Sequence, residues 1–295
     1  MTDTSLRQKA TLLFRDPGRF FRHAANGRLA ARIEDGVLDL TRPMASTPVN
    51  GIDLRCLGMR RSGNHALIEW LIAAVEAEHG PGSTVHLNDI PLGVNGYRSR
   101  HQYPAPIDTA EYTEAMGIRR YRKFEKTALL VRSYEDFTLA EFDQKEPQKY
   151  YGPSQTAFEA IIIRDPLNLF ASRVKSGKTG TKSGMSQIAL YLDHFRGHQD
   201  RPDLIAMQYN RWLMDQAYRD ELLVALGLPP GHGLTLTSSP RGGGSSFDGS
   251  RQSLEPRDLL RRWQDMRDDP WFRDQVLGNR DLMQIAETHF PEILD

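Results

Sequence analysis

The densest chemistry in the chain is the run Gly58-Met59-Arg60-Arg61-Ser62-Gly63-Asn64-His65. Residues 52–58 ahead of it read as a short apolar strand, and residues 66–78 behind it carry helical periodicity. A glycine-bounded turn from strand into helix aims several backbone N–H groups and the positive helix end at one point. That makes an anion site before any side chain is counted. The two glycines have the spacing of a Walker A loop, whose next two residues are Lys and Ser or Thr, for the β/γ-phosphates and Mg²⁺. Here those places hold Asn64 and His65, and the cations Arg60 and Arg61 come earlier. A nucleotide kinase or NTPase without both groups is badly handicapped. The loop therefore reads as the holder of a phosphate-type anion without a Walker-type Mg²⁺ ligand.

A second strand-to-helix junction follows the apolar residues 160–163, as Arg164-Asp165-Pro166 and a helix over residues 167–174 that contains Ser172. Farther on, Gly177-Lys178-Thr179 imitates the end of a Walker A loop. Ser172 stands where the earlier glycine is required and no strand precedes it, so that match is discarded.

Taken together, the two junctions resemble the sulfotransferase family, which uses 3′-phosphoadenosine 5′-phosphosulfate (PAPS). Residues 58–67 resemble its 5′-phosphosulfate loop, which usually reads as a basic residue, Ser, Gly, Thr, Thr. Arg61, Ser62 and Gly63 match, while Asn64 and His65 replace the two Thr. A strand ending in Arg, then Asp-Pro, then a Ser eight residues after the Arg, resembles the family's second element, here Arg164 to Ser172. The resemblance covers residues 52–75 and 158–176, and more weakly 203–227. It implies a P-loop NTPase-like sulfotransferase fold, PAPS as donor, PAP as product and no required metal. It further implies that Arg60, Arg61, Ser62, Gly63, Asn64 and His65 hold the 5′-phosphosulfate, and that Arg164 and Ser172 bind the 3′-phosphate. Arg61 would stabilise charge on the bridging oxygen as sulfuryl leaves. His65 either donates to phosphate or packs and caps the helix start; both readings stand. The glycine-rich residues 241–249 resemble a late nucleotide-binding segment of the family in position and character, which would give Ser245 and Ser246 to phosphate. A turn with no ligand accounts for them equally.

In-line transfer to a hydroxyl or amine needs a base near the acceptor. The family takes it, as His or Glu, from segments after the first helix. His86, in His86-Leu87-Asn88-Asp89, starts nearest the right intrinsic pKa. Glu135, after the third strand, needs its pKa raised by burial, and Asp89 is a third candidate. Arg132 reads either as a further cation on the sulfonate or as the partner of Glu135 or Asp136. Lys175, Lys178 and Lys182 either close over the nucleotide or an anionic acceptor, or line a solvated loop. The acceptor is expected to be a small molecule or glycan. Tyr97, Tyr103, Tyr112, Tyr121, Tyr150 and Tyr151 suit sugar stacking or ordinary packing.

Positioning such a site takes an α/β fold with a central, mostly parallel sheet flanked by helices. Strands are expected at residues 52–58, 84–87, 127–131 and 160–163. Helices are expected at 66–78, 167–174, 186–195, 203–226, 256–266 and 271–289. Residues 51–295 read as one domain. Residues 1–50 read as an extension whose Arg15, Arg19 and Arg22 among apolar residues make either a helix packed on the domain or a peripheral membrane contact. The 38 basic and 38 acidic residues cancel, which argues against a nucleic-acid binder. A single cysteine, Cys56, excludes an intramolecular disulfide and a thiolate-held metal. No run approaches the roughly 18 apolar residues of a membrane span, so a cytoplasmic protein is expected. The rival readings are a Mg²⁺-dependent P-loop-like kinase and a non-catalytic nucleotide-binding module.

Overall fold

The structure is a computed structural model that describes residues 47–92, 96, 102–103, 127–144, 150–177, 180–234 and 256–294. The expected extension therefore lies outside the described residues except for its last four. Ser245, Ser246, Lys178, Tyr97, Tyr112 and Tyr121 lie outside them too.

Six strands form one sheet: β1 (Asn50–Gly58), β2 (Thr84–Leu87), β3 (Gln102–Tyr103), β4 (Thr127–Glu135), β5 (Ser154–Ile163) and β6 (Leu204–Gln208). Their order is β3-β2-β4-β1-β5-β6. All neighbours run parallel except the edge pair β2–β3. The helices are α1 (Asn64–His79), α2 (Leu139–Phe142), α3 (Pro166–Lys175), α4 (Gln187–Gly197), α5 (Tyr209–Met214), α6 (Gln216–Ala225), α7 (Pro256–Leu259), α8 (Pro270–Phe272) and α9 (Arg280–His289). This is the expected α/β arrangement of a mostly parallel sheet flanked by helices. No helix among the described residues is long and apolar enough to cross a membrane.

Apolar runs such as Leu129–Val131 and Ala160–Ile163 are buried, as parallel strands covered on both faces require. β1 also carries Asp53 and Arg55 into the sheet, two residues apart and so on one face. Each is neutralised by a neighbouring strand. Arg132 on β4 grips Asp53 with Nε at 2.9 Å and Nη2 at 2.8 Å, and lies 4.3 Å over the Tyr151 ring. Arg55 pairs with Glu159, its register partner on β5, and donates to the Phe142 carbonyl at 2.7 Å. Burial works against the Arg132 charge, but Asp53 together with the Tyr134 and Tyr151 hydroxyls raises the pKa. Arg132 therefore braces the sheet through Asp53 rather than pairing with Glu135 or Asp136. Tyr150 and Tyr151 are likewise buried, and Tyr151 Oη accepts the Gly96 N–H, so neither is an open stacking platform. Cys56 is buried in β1, and its burial pushes the thiol pKa up to about 12.

The expected helix over 203–226 is instead β6, α5 and α6. Leu204–Gln208 is only five residues long and joins the sheet by pairing with β5, a long-range choice that local periodicity does not encode. Asp215, extended at φ −122°, then breaks the helical run and caps α6 by accepting the Ala217 N–H. The expected 271–289 helix divides at Gly278-Asn279, where Asn279 caps α9. The 256–266 segment splits into α7 and a 3₁₀ turn, Arg262–Met266.

His194 on α4 is fully enclosed, with Nε2 2.7 Å from the Phe137 carbonyl, which requires an Nε2–H donor. Burial, the largest influence, lowers its pKa, against smaller opposing effects of the Phe137 carbonyl, Asp193 and Asp136. The folded protein thus takes up this proton less readily than the unfolded chain, whose histidine titrates near about 6.5. Stability should fall as pH drops below about 6.5, by up to about 1.4 kcal/mol per pH unit, until the folded group itself is protonated. His194→Gln, which can still donate to Phe137, should flatten that slope in urea melts between about pH 5 and about pH 8.

Candidate functional site

β1 lies between β4 and β5. The chain leaves β1 toward β2 on one side, whereas it leaves β5 toward β6 on the other. The carboxyl ends of β1 and β5 therefore flank a topological switch point, where open α/β sheets leave a crevice for ligands. Both sequence motifs end in that crevice.

The first is the loop of residues 59–63. Ser62 N–H donates to the Met59 carbonyl at 3.1 Å, Arg61 takes φ +75° and Gly63 takes φ +93°. Gly63 is required twice over: its backbone is left-handed, and a Cβ there would lie 2.2 Å from the Tyr209 ring. Asn64, in the Walker lysine's place, is buried. Its Nδ2 donates to the Met59 carbonyl at 3.2 Å and to Glu135 Oε1 at 3.1 Å, while its Oδ1 accepts from Ser62 Oγ at 2.5 Å. The side chains of Ser62 and Asn64 thus shape the loop from inside. The start of α1 has no side-chain cap, which leaves its first N–H groups for another acceptor.

The second motif meets the first directly. Arg61 Nε donates to Ser172 Oγ at 3.0 Å, and Arg164 Nη1 donates to the Arg61 carbonyl at 3.1 Å. Arg164 lies 4.7 Å over the Tyr209 ring. Its Nε is buried without a hydrogen-bond partner and sits 3.9 Å from Asp165 Oδ2, too far for a hydrogen bond. Asp165 is occupied as the cap of α3, accepting the Asn168 N–H at 2.7 Å. Burial first, and then the like charges of Arg164 and Arg262, lower the Arg61 pKa; Glu135 opposes them. This half of the crevice is cationic, with an unsatisfied donor.

Arg60 turns the other way. Its guanidinium is 3.3 Å from Asp89, 3.4 Å from Glu135 and 3.6 Å from Asp136, and its N–H donates to Asp136 Oδ1 at 3.0 Å. Burial would lower its pKa, but these three carboxylates together raise it. Asp89 also pairs with Lys182, which lies 4.9 Å over the Phe137 ring. Consecutive arginines therefore serve opposite sides of the crevice, and Arg60 has a carboxylate environment where the sequence suggested an anion.

The base candidates gather on the Arg60 side. His86 is buried at the end of β2, its Nε2 3.0 Å from Ser133 Oγ, which donates to Asn88 Oδ1 at 2.9 Å. The His65 ring, from the first turn of α1, stands edge-on to His86 with 6.5 Å between centroids. Glu135 accepts from Asn64 on one oxygen and Arg60 on the other. Among the described residues no cluster of His, Cys, Asp and Glu could hold a metal ion.

Three contributors were not assigned to the loop from the sequence. Arg173, with no exposed surface, donates to the Arg60 carbonyl at 3.0 Å, Asp136 Oδ1 at 2.8 Å, the Gly180 carbonyl at 2.9 Å and Gln187 Oε1 at 3.0 Å. Asp136, at φ +62°, joins that arginine to the loop. Tyr209 packs on Gly63 and under Arg164. The adjacency of Arg173 to Ser172 was the one available hint.

No family model and no curated protein sequence matches the chain. Among solved structures, it is similar to mouse sulfotransferase SULT7A1 complexed with PAP, with 14% identity and a TM-score of 0.37. The match covers 88% of this chain and 94% of that one.

Gly63→Ala combines left-handed strain with a Tyr209 clash, and should cost about 2 kcal/mol or more in urea unfolding. A loss within experimental error would show that the loop can re-form without that close approach.

Proposed function

We propose that this chain is a sulfotransferase that moves a sulfuryl group from PAPS to a hydroxyl or amine, on a carbohydrate, a lipid-linked glycan or a small metabolite. The observation that carries the reading is the meeting of Arg61, Arg164 and Ser172 beside the uncapped start of α1 at the switch point. Two further features support it. A buried Arg164 N–H lacks an acceptor. Asn64 and His65 occupy the places in which a Mg²⁺-using loop carries Lys and Ser or Thr.

In this reading Arg164 and Ser172 take the 3′-phosphate through charge-assisted and hydroxyl hydrogen bonds. Arg61 and the N–H groups at the start of α1 hold the 5′-phosphosulfate. The bond between sulfur and the bridging phosphate oxygen breaks as the bond from the acceptor oxygen or nitrogen to sulfur forms. Negative charge builds on the bridging oxygen, where Arg61 and the helix end are pre-oriented to receive it. PAP leaves with that electron pair. His86, its ring fixed by Ser133, takes the acceptor's proton; Glu135 is the alternative base. A sulfuryl group carries fewer charges than a γ-phosphoryl group, which lessens the need for a bridging cation.

Calorimetric titration with adenosine 3′,5′-bisphosphate and with ATP, each with and without Mg²⁺, tests the donor half. Metal-independent binding of the bisphosphate is expected, weakened at least tenfold, about 1.4 kcal/mol, by Arg164→Ala. A preference for Mg-ATP would overturn the reading in favour of a kinase. Bisphosphate binding with no turnover on any acceptor, and unaffected by His86→Asn, would leave a binding module.

A further inference from the structure

We infer that Asp89 is a tethered counter-anion, which holds Arg60 and Lys182 until a bound sulfonate or phosphate takes Arg60 from it. The inference rests on reading the 59–63 loop as an anion holder, and adds how that site is regulated.

Contact lengths and exposures decide which groups can exchange. Asp136 is fully enclosed and fixed by Arg173 at 2.8 Å. The Glu135 side chain is 10% exposed, and Asn64 holds its second oxygen. Arg60, by contrast, makes only long contacts, 3.3 to 3.6 Å, and its side chain is 33% exposed. Asp89 is 21% exposed and Lys182 25% exposed, on segments that follow β2 and α3. Partly exposed pairs of this kind are weak, so a ligand can break them. The Arg60 backbone stays fixed meanwhile, because Arg173 holds its carbonyl and Asp136 its N–H. Only the guanidinium needs to swing. Asp89 sits at φ +53°, and its N–H donates at 3.4 Å to Ser133 Oγ, the hydroxyl that lies 3.0 Å from His86 Nε2, which ties the turn to the end of β4. Anion affinity is then set by competition with a carboxylate that never leaves the site.

Asp89→Asn tests this directly, since Asn tolerates a left-handed backbone and removes only the charge. Equilibrium dialysis with radiolabelled inorganic sulfate should show binding tightened by about threefold, the scale of one partly exposed ion pair. Asp200→Asn, which neutralises a carboxylate just ahead of β6 at the opposite end of the sheet, should leave sulfate binding unchanged. If the Asn variant loses its fold, Asp89→Gly keeps the positive φ and removes the same charge. Equal or weaker sulfate binding by a folded Asp89 variant, or an equal gain in Asp200→Asn, overturns the inference. If the wild type binds adenosine 3′,5′-bisphosphate at the same time, the anion-loop reading survives that result. Absence of sulfate and bisphosphate binding in every variant overturns both.

Discussion

The site depends on one buried ion pair. Arg173 and Asp136 have no exposed surface, and their 2.8 Å contact joins α3 to the end of β4. Arg173 also holds the Arg60 and Gly180 carbonyls, and Asp136 holds the Arg60 N–H. The Asp136 carbonyl accepts the N–H groups of Lys182 and Ser183 at 3.2 Å. The loop after β1, the end of β4 and the segment after α3 therefore share one anchor. Removing one partner of such a pair strands a charge in the interior and generally costs about 3–5 kcal/mol. This anchoring explains how a loop with two left-handed residues keeps one shape, and why its two arginines can point apart.

That divergence gives the crevice an electrostatic polarity. On the β5 side Arg61 and Arg164 lie close enough for their charges to interact, with Ser172 as the hydroxyl between loop and helix. On the β4 side each cation is matched by carboxylates. The first side carries an excess of positive charge, and the second offers a nearly neutral, hydrogen-bonding surface. In the interior of the sheet, charges are paired across strands, Asp53 with Arg132 and Arg55 with Glu159. The net charge of zero thus conceals a strong local ordering of sign.

What the sequence revealed was what lies close together along it. Gly58, Gly63 and the following periodicity announce strand, loop and helix within some twenty residues, and Arg164 to Ser172 does the same. That these two units lie side by side is a matter of sheet order, which neither motif encodes. Tyr209 could not be read, because its reason for being there is Gly63, far away in the chain. β6 was missed for the same reason: five residues become a strand only because β5 offers an edge. Arg132 misled because an arginine near two acidic residues in sequence looks paired to them, whereas alternation along β4 sends it to Asp53. The helix breaks at Asp215 and Asn279 had readable cap residues, but apolar periodicity runs across both.

The placement of Cys56 has a chemical corollary. Thiol reagents and peroxide act on the thiolate, and a group with a pKa near about 12 on a central strand presents almost none. Disulfide exchange, S-nitrosylation and alkylation all require β1 to come out of the sheet first. β1 is hydrogen-bonded on both edges, so that release amounts to dismantling the core. The folded chain in effect presents no reactive thiol, and its one sulfhydryl becomes available only when the fold has already been lost.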